Sequence, residues 1–90
     1  MTEDYTRTFA IIRDIHTWFH TDKWMREHSV ELRTTITETV VSFTIVVKRP
    51  DGVGKSRQIA QHLDTIQRAK YDPFDTIGQD IEKAAREMAA

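Results

Sequence analysis

Residues 30–47 read VELRTTITETVVSFTIVV, and the two halves of this stretch match each other across its centre. Valine, isoleucine and threonine favour strands, whose side chains alternate between two faces. Folding at the centre brings apolar residues together: the predicted pairs are Val30 with Val47, Leu32 with Ile45, Thr34 with Phe43 and Ile36 with Val41. A slip of one residue would turn this whole set toward water. The stretch therefore predicts an antiparallel hairpin of strands 30–37 and 40–49, with a largely polar opposite face.

A long amphipathic helix is predicted before the hairpin. Its apolar residues are spaced three and four positions apart, which places them on one stripe: Tyr5, Phe9, Ile12, Ile15 and Phe19. Acidic residues suit the positive end of a helix dipole, so we expect the helix to start near Thr2 or Glu3. A second capping signal around Asp22 predicts a bend or restart there, and an end near His28.

A C-terminal helix is predicted over residues 73–88. Asp72 and Pro73 are typical of a helix start, and the residues that follow carry one continuous apolar stripe. The segment between the hairpin and this helix is ambiguous. Ile59, Leu63 and Ile66 have helical spacing, which favours a helix over 57–70. The alternative is a third antiparallel strand over about 53–63, launched by the Pro-Asp-Gly turn at 50–52.

With a third strand, the order helix, three strands, helix resembles that of double-stranded-RNA-binding domains. That family has a lysine cluster at the start of its last helix. This chain has Asp72, Phe74 and Asp75 there. The resemblance therefore implies a topology and not an RNA-binding function.

Length and composition restrict the classes of protein that this chain can belong to. Its 90 residues fit one α+β domain, 1–90, and there is no cysteine for a disulfide or a thiolate-bound zinc. The longest uncharged run, 39–47, is too short to cross a bilayer. The net charge of −1 argues against a generic polyanion binder. We expect a cytoplasmic protein that is not bound to a membrane.

Two motifs resemble chemical sites but are incomplete. Residues 52–56, GVGKS, resemble the end of a phosphate-binding P-loop, but Arg49 stands where its first glycine is required. His16 and His20 have the spacing of two zinc ligands, but no third ligand is indicated. No serine or cysteine stands in a nucleophile motif. We therefore expect no enzymatic activity, no metal and no cofactor.

Two groups of side chains are candidates for contacts with a partner. Trp18, Trp24, Ile11 and Met25 are apolar side chains that the simplest packing leaves at an edge, and aromatic anchors carry much of the energy of protein interfaces. The alternative is that the tryptophans belong to the core. The second group surrounds the turn at 48–57 and is basic: Lys48, Arg49, Lys55 and Arg57. These four could contact phosphates, or they could simply keep a loop soluble.

The sequence favours a protein that works by binding. We expect a non-enzymatic accessory or inhibitor protein that binds another protein by surface complementarity and forms a homodimer, since a two-stranded hairpin is marginal alone. Short chains without motifs are typical of phage and mobile-element accessory proteins. The alternative is a small nucleic-acid-binding module that uses the basic turn 48–57.

Overall fold

A computed structural model describes residues 4–90, which form four helices and one three-stranded antiparallel sheet. The elements are α1 Thr6–Thr21, α2 Lys23–Glu27, β1 Val30–Thr37, β2 Val40–Lys48, β3 Gly54–His62, α3 Leu63–Gln67 and α4 Pro73–Ala89. The strands are hydrogen-bonded in the order β1-β2-β3, so β2 is central. The predicted α+β class is confirmed. Within residues 4–90, no helix is long and apolar enough to span a bilayer.

The hairpin has the predicted register. The paired residues include Val30 with Val47, Leu32 with Ile45, Thr34 with Phe43 and Ile36 with Val41. The turn is closed by two residues, of which Glu38 adopts a positive φ of 44°. Two-residue hairpin loops require such left-handed backbone because it matches the twist of the strands.

The predicted helix over 57–70 is wrong, and the alternative third strand is correct. Residues 54–62 form β3, which pairs with β2 over its whole length, and only the short helix α3 follows. A third strand places the polar residues Arg57 and Gln61 on the side of the sheet that faces the helices. This is tolerated because β3 is an edge strand. The Arg57 side chain stays 46% exposed, and its Nη1 lies 2.7 Å from Glu87 Oε2 of α4.

Side-chain caps set the starts of α2 and α4. The predicted start near Thr2 or Glu3 lies outside the described residues, and α1 begins at Thr6. Asp22 separates α1 from α2, and its carboxylate accepts the Met25 N–H at 3.1 Å, so the predicted restart is confirmed.

The C-terminal helix also begins where predicted. The Asp72 carboxylate accepts the Phe74 N–H at 3.0 Å, and Pro73 is the first helical residue. Proline is favoured in the first turn because no intrahelical partner is lost there. The helix ends at Ala89, one residue beyond the prediction.

The core lies between one face of the sheet and the two long helices. Helix α4 packs on β2 and β3, and α1 packs beside α4. The fully buried hydrophobic side chains include Ile15, Val41, Phe43, Ile45, Ile66, Ile77 and Ile81. One residue of the predicted α1 stripe is misplaced, since Phe9 is 49% exposed. Helix α1 instead turns Thr8 inward, where its hydroxyl donates to the carbonyl oxygen of Leu63 at the start of α3.

The hairpin register predicts which substitutions on β2 are costly. Ile45 is fully buried, whereas Thr44 lies on the opposite face and is half-buried. Ile45→Ala should lower the free energy of unfolding by about 2–5 kcal/mol, because it leaves a cavity in the core. Thr44→Ala should lower it by less than about 1 kcal/mol. Urea denaturation of the two variants measures this difference, and equal losses would show that the faces are assigned wrongly.

Gly78 is a site where the fold can be stabilised. It lies inside α4, and a Cβ built on it meets no atom within 4 Å. Gly78→Ala should raise the free energy of unfolding by about 0.5–1 kcal/mol, because alanine loses less backbone entropy in a helix. The control is Gly52→Ala, which should destabilise because Gly52 has a φ of +85°. Thermal unfolding should therefore shift in opposite directions for the two variants.

Candidate functional site

The outer edge of β3 has backbone groups that the sheet leaves unpaired. The Leu63 N–H donates to the Thr39 carbonyl at 2.8 Å, and the Arg49 N–H donates to the Val53 carbonyl at 3.2 Å. Backbone groups alternate in direction along a strand, so the odd-numbered residues of β3 face β2. The N–H and C=O groups of the even-numbered residues point away from it, notably those of Ser56, Gln58 and Ala60. Within residues 4–90, no other strand pairs with this edge.

A groove borders the C-terminal half of this edge; we call it the β3 groove. It encloses about 330 Å³ between β3, α3, the loop that follows α3, and the start of α4. Its lining residues are mostly small or apolar: Ala60, Gln61, His62, Thr65, Ala69, Tyr71, Pro73, Thr76 and Ile77. Ile77 is fully buried, whereas Tyr71 is 70% exposed. Such a concave, largely apolar surface with a few polar groups is typical of binding sites.

One wall of the β3 groove is held in place from the other end of the chain. The Arg7 guanidinium of α1 donates to the carbonyl oxygens of Gln67 at 3.0 Å and Ala69 at 2.7 Å. These are carbonyls at the end of α3 and in the loop beyond it, where no further helical turn satisfies them. The clamp joins α1 to the loop that carries Tyr71. These hydrogen bonds therefore hold the groove wall in place within the folded chain.

The four basic residues of the predicted anion site do not share one surface. Lys48 lies on the open face of the sheet, and its Nζ is 3.2 Å from Glu31 Oε1. Lys55 and Arg57 lie on the face that the helices cover, because they pair with Val47 and Ile45. Arg49 lies in the turn.

Two of these four cations are engaged within the chain. Hydrogen bonds from Lys48 and Arg57 are the main causes that hold the pKa values of Glu31 and Glu87, respectively, below the usual range for glutamate. The nucleic-acid alternative stays a prediction, without a joint surface to support it.

The predicted partner-binding residues divide into two groups. Ile11 and Met25 are core residues, only 9% and 1% exposed. Trp18 and Trp24 are half-buried at the seam between α1, α2 and α4.

Both tryptophans have ring contacts within the chain. Trp18 meets Phe74 edge to face, with ring centroids 6.4 Å apart. Trp24 stacks on His28 at 4.0 Å, and the Arg86 guanidinium carbon lies 4.7 Å from the Trp24 ring centroid. These contacts leave each indole only partly open to a partner.

His16 and His20 are neighbours on α1, with ring centroids 5.9 Å apart. His16 Nε2 shares a hydrogen bond with the Thr34 hydroxyl of β1. Within residues 4–90, no group of three or more histidine, cysteine, aspartate or glutamate side chains is placed to hold a metal ion. Burial, and to a lesser extent the nearby His20, lowers the pKa of His16.

The β3 groove was not predicted from the sequence. Its residues span positions 60–77 and converge only when residues 54–62 form a strand. One signal for it was present: the run Gln58–His62 has no lysine, arginine or carboxylate, although the residues before it are basic. An uncharged half of an edge strand is unusual, because proteins usually protect such edges with charge.

Comparison with known proteins found no matching family model, no similar curated protein and no similar solved structure. The geometry and chemistry of the chain itself are therefore the basis for assigning a function.

The lowered pKa of His16 predicts how stability depends on pH. The folded state binds a proton at His16 less tightly than the unfolded state does, so this contribution to stability is lost as pH falls from about 7 to about 5. His16→Gln keeps a polar side chain next to Thr34 but does not titrate, and should flatten the decline. Urea midpoints across this pH range provide the measurement. An unchanged slope in the variant would assign the pH dependence to other groups.

Proposed function

We propose that this protein is a non-enzymatic accessory or inhibitor protein of the cytoplasm that binds another protein by surface complementarity. In this proposal, an extended segment of the partner adds to β3 as a fourth strand and fills the β3 groove. The observation that carries the proposal is the position of the groove directly beside the free edge of β3. The two features together provide backbone partners and a recess for a side chain.

Strand addition is a common mode of protein recognition. Main-chain hydrogen bonds supply affinity that depends little on sequence, and recesses beside the edge select the side chains of the added strand. The unpaired backbone groups of Ser56, Gln58 and Ala60 can form the main-chain hydrogen bonds. The β3 groove, with Ile77 at its base, is the recess that can select a side chain. Little reorganisation is needed, because Arg7 already holds the groove wall.

The composition of the groove supports binding rather than catalysis. None of its nine lining residues is a carboxylate or a lysine, and His62 is the one histidine among them. A hydroxyl nucleophile requires a general base within hydrogen-bond reach. The groove residues do not provide such a pair.

A proline on the edge tests the proposal. Ala60→Pro removes an N–H that points away from β2, so β2–β3 pairing should persist while strand addition is blocked. The matched control Ala60→Ser keeps the N–H. In affinity capture from lysate of the native host, a partner retained by wild type and Ala60→Ser should be lost, by about tenfold or more, with Ala60→Pro. Circular dichroism must show that all three proteins are folded.

Equal capture of the same partner by all three proteins would contradict strand addition at β3. Sedimentation of the wild type and of Ala60→Pro decides separately whether the chain forms a homodimer through this edge. A dimer that Ala60→Pro dissociates would make a second copy the occupant of the edge.

A further inference from the structure

We infer that the segment captured by β3 is aliphatic at one end and acidic at the other, and that it runs antiparallel to β3. In this arrangement an aliphatic side chain enters the β3 groove beside Gln61, and carboxylates lie opposite Arg57 and Lys55. The inference rests on the proposed function and specifies the chemistry of the partner. It follows from the difference between the two halves of β3, since one half carries Lys55 and Arg57 and the other half is uncharged.

The side chains of β3 that face the helices form a row that changes from basic to uncharged along the strand. Their order along the strand is Lys55, Arg57, Ile59 and Gln61. An added strand places alternate side chains on this same face, directly beside the row. The chemistry of the row therefore selects the chemistry of every second residue in the partner segment.

The groove end of the row selects an aliphatic side chain. The recess of about 330 Å³ has Ile77 as its buried floor, with Pro73, Ala60 and Ala69 among its walls. No carboxylate, lysine or arginine lines it. A charged side chain there would lose water without gaining an ion pair, which is costly, whereas an aliphatic side chain gains by leaving water.

The other end of the row selects carboxylates. Lys55 has no ion-pair partner within residues 4–90. Arg57 pairs with Glu87, yet its side chain is 46% exposed, and a guanidinium has five N–H donors. It can therefore accept a second carboxylate. Opposite charges that face each other across strands stabilise pairing, whereas like charges oppose it.

The direction of the added strand sets the order of the two ends. All strand pairs of this sheet are antiparallel, and antiparallel pairing is the more stable per residue. An antiparallel segment passes Gln61 before Arg57 and Lys55. Its aliphatic residue should therefore precede its two acidic residues by four and six positions.

A second copy of this chain lacks the required chemistry. Its own β3 contains no carboxylate. Antiparallel pairing of two β3 strands about Ile59 would place Arg57 opposite Gln61 of the second copy and Lys55 opposite its Leu63. Neither Lys55 nor Arg57 would gain an acidic partner from the second copy.

Three synthetic peptides of nine residues, acetylated and amidated, test the inference. The first, TLTVTETET, has the inferred order. The second, TETETVTLT, reverses that order at constant composition, and the third, TLTVTKTKT, inverts the charge. Titration of the full chain, followed by anisotropy of labelled peptide, should show the first binding about tenfold more tightly than either of the others.

Variants of the protein test each end of the segment separately. Lys55→Gln and Arg57→Gln should each weaken binding of the first peptide by about two- to fivefold and reduce its salt dependence. Thr76→Arg fills the exposed wall of the groove and should weaken the same peptide, whereas Thr17→Arg, at an exposed position of α1 that does not line the groove, is the matched control. Circular dichroism of each variant excludes a loss of fold.

The outcomes separate this inference from the proposed function. Equal binding of the three peptides, abolished by Ala60→Pro, would overturn the inferred chemistry while supporting strand addition. Absence of binding by the first peptide would overturn the inference. The proposed function would still be tested separately, by comparing how much partner wild type and Ala60→Pro capture from lysate. A dimer that is dissociated by Ala60→Pro would identify the occupant as a second copy and overturn the inference as well.

Discussion

The pairing register of β1 and β2 is the constraint on which the rest of the structure depends. Because side chains alternate along a strand, one register places Leu32, Phe43 and Ile45 together on the face that the helices cover. The long helices then have a single apolar surface on which to pack. The core closes without leaving a buried, unpartnered side-chain nitrogen or oxygen among residues 4–90. A domain of 90 residues buries a smaller share of its surface on folding than larger domains do, so it has few other sources of stability.

The position of β3 at the edge of the sheet explains both its composition and its proposed role. A central strand could not keep Arg57 and Gln61 on a core-facing side, but an edge strand lets them reach water or Glu87. The same position leaves alternate backbone groups unpaired. Exposed edges invite unwanted pairing, and charged side chains oppose it. Lys55 and Arg57 provide this protection in one half of β3, whereas the half beside the groove has none.

The proposed binding mode divides affinity from selectivity. Backbone pairing along β3 accepts many sequences, so discrimination between partners must come from the groove and from the cations at the other end.

The tryptophans lie in a different part of the fold from β3. The contacts of Trp18 with Phe74 and of Trp24 with Arg86 join α1 and α2 to α4. A partner that contacts them would meet rings that the chain has already partly covered.

Several elements could be predicted from the sequence because their causes are local. The register between Leu32 and Ile45 follows from an alternation that is visible within eighteen residues. The caps at Asp22 and Asp72 bond to N–H groups two or three residues further along the chain. The rotation of α1 about its own axis was less predictable, since burial of Thr8 in place of Phe9 depends on α3.

The sequence by itself determined the hairpin, its buried face and the capped starts of α2 and α4, because alternation and capping act over a few residues. It did not determine residues 54–62, where Ile59 and the residues after it fit a helical spacing as well as a strand. Only pairing with β2 decides that segment, and the hydrogen bonds of a sheet join residues that are distant in the chain. The β3 groove follows from the same cause. Its lining comes from residues 60–77 and its clamp from Arg7, so the groove exists only after the tertiary structure has brought both ends of the chain together.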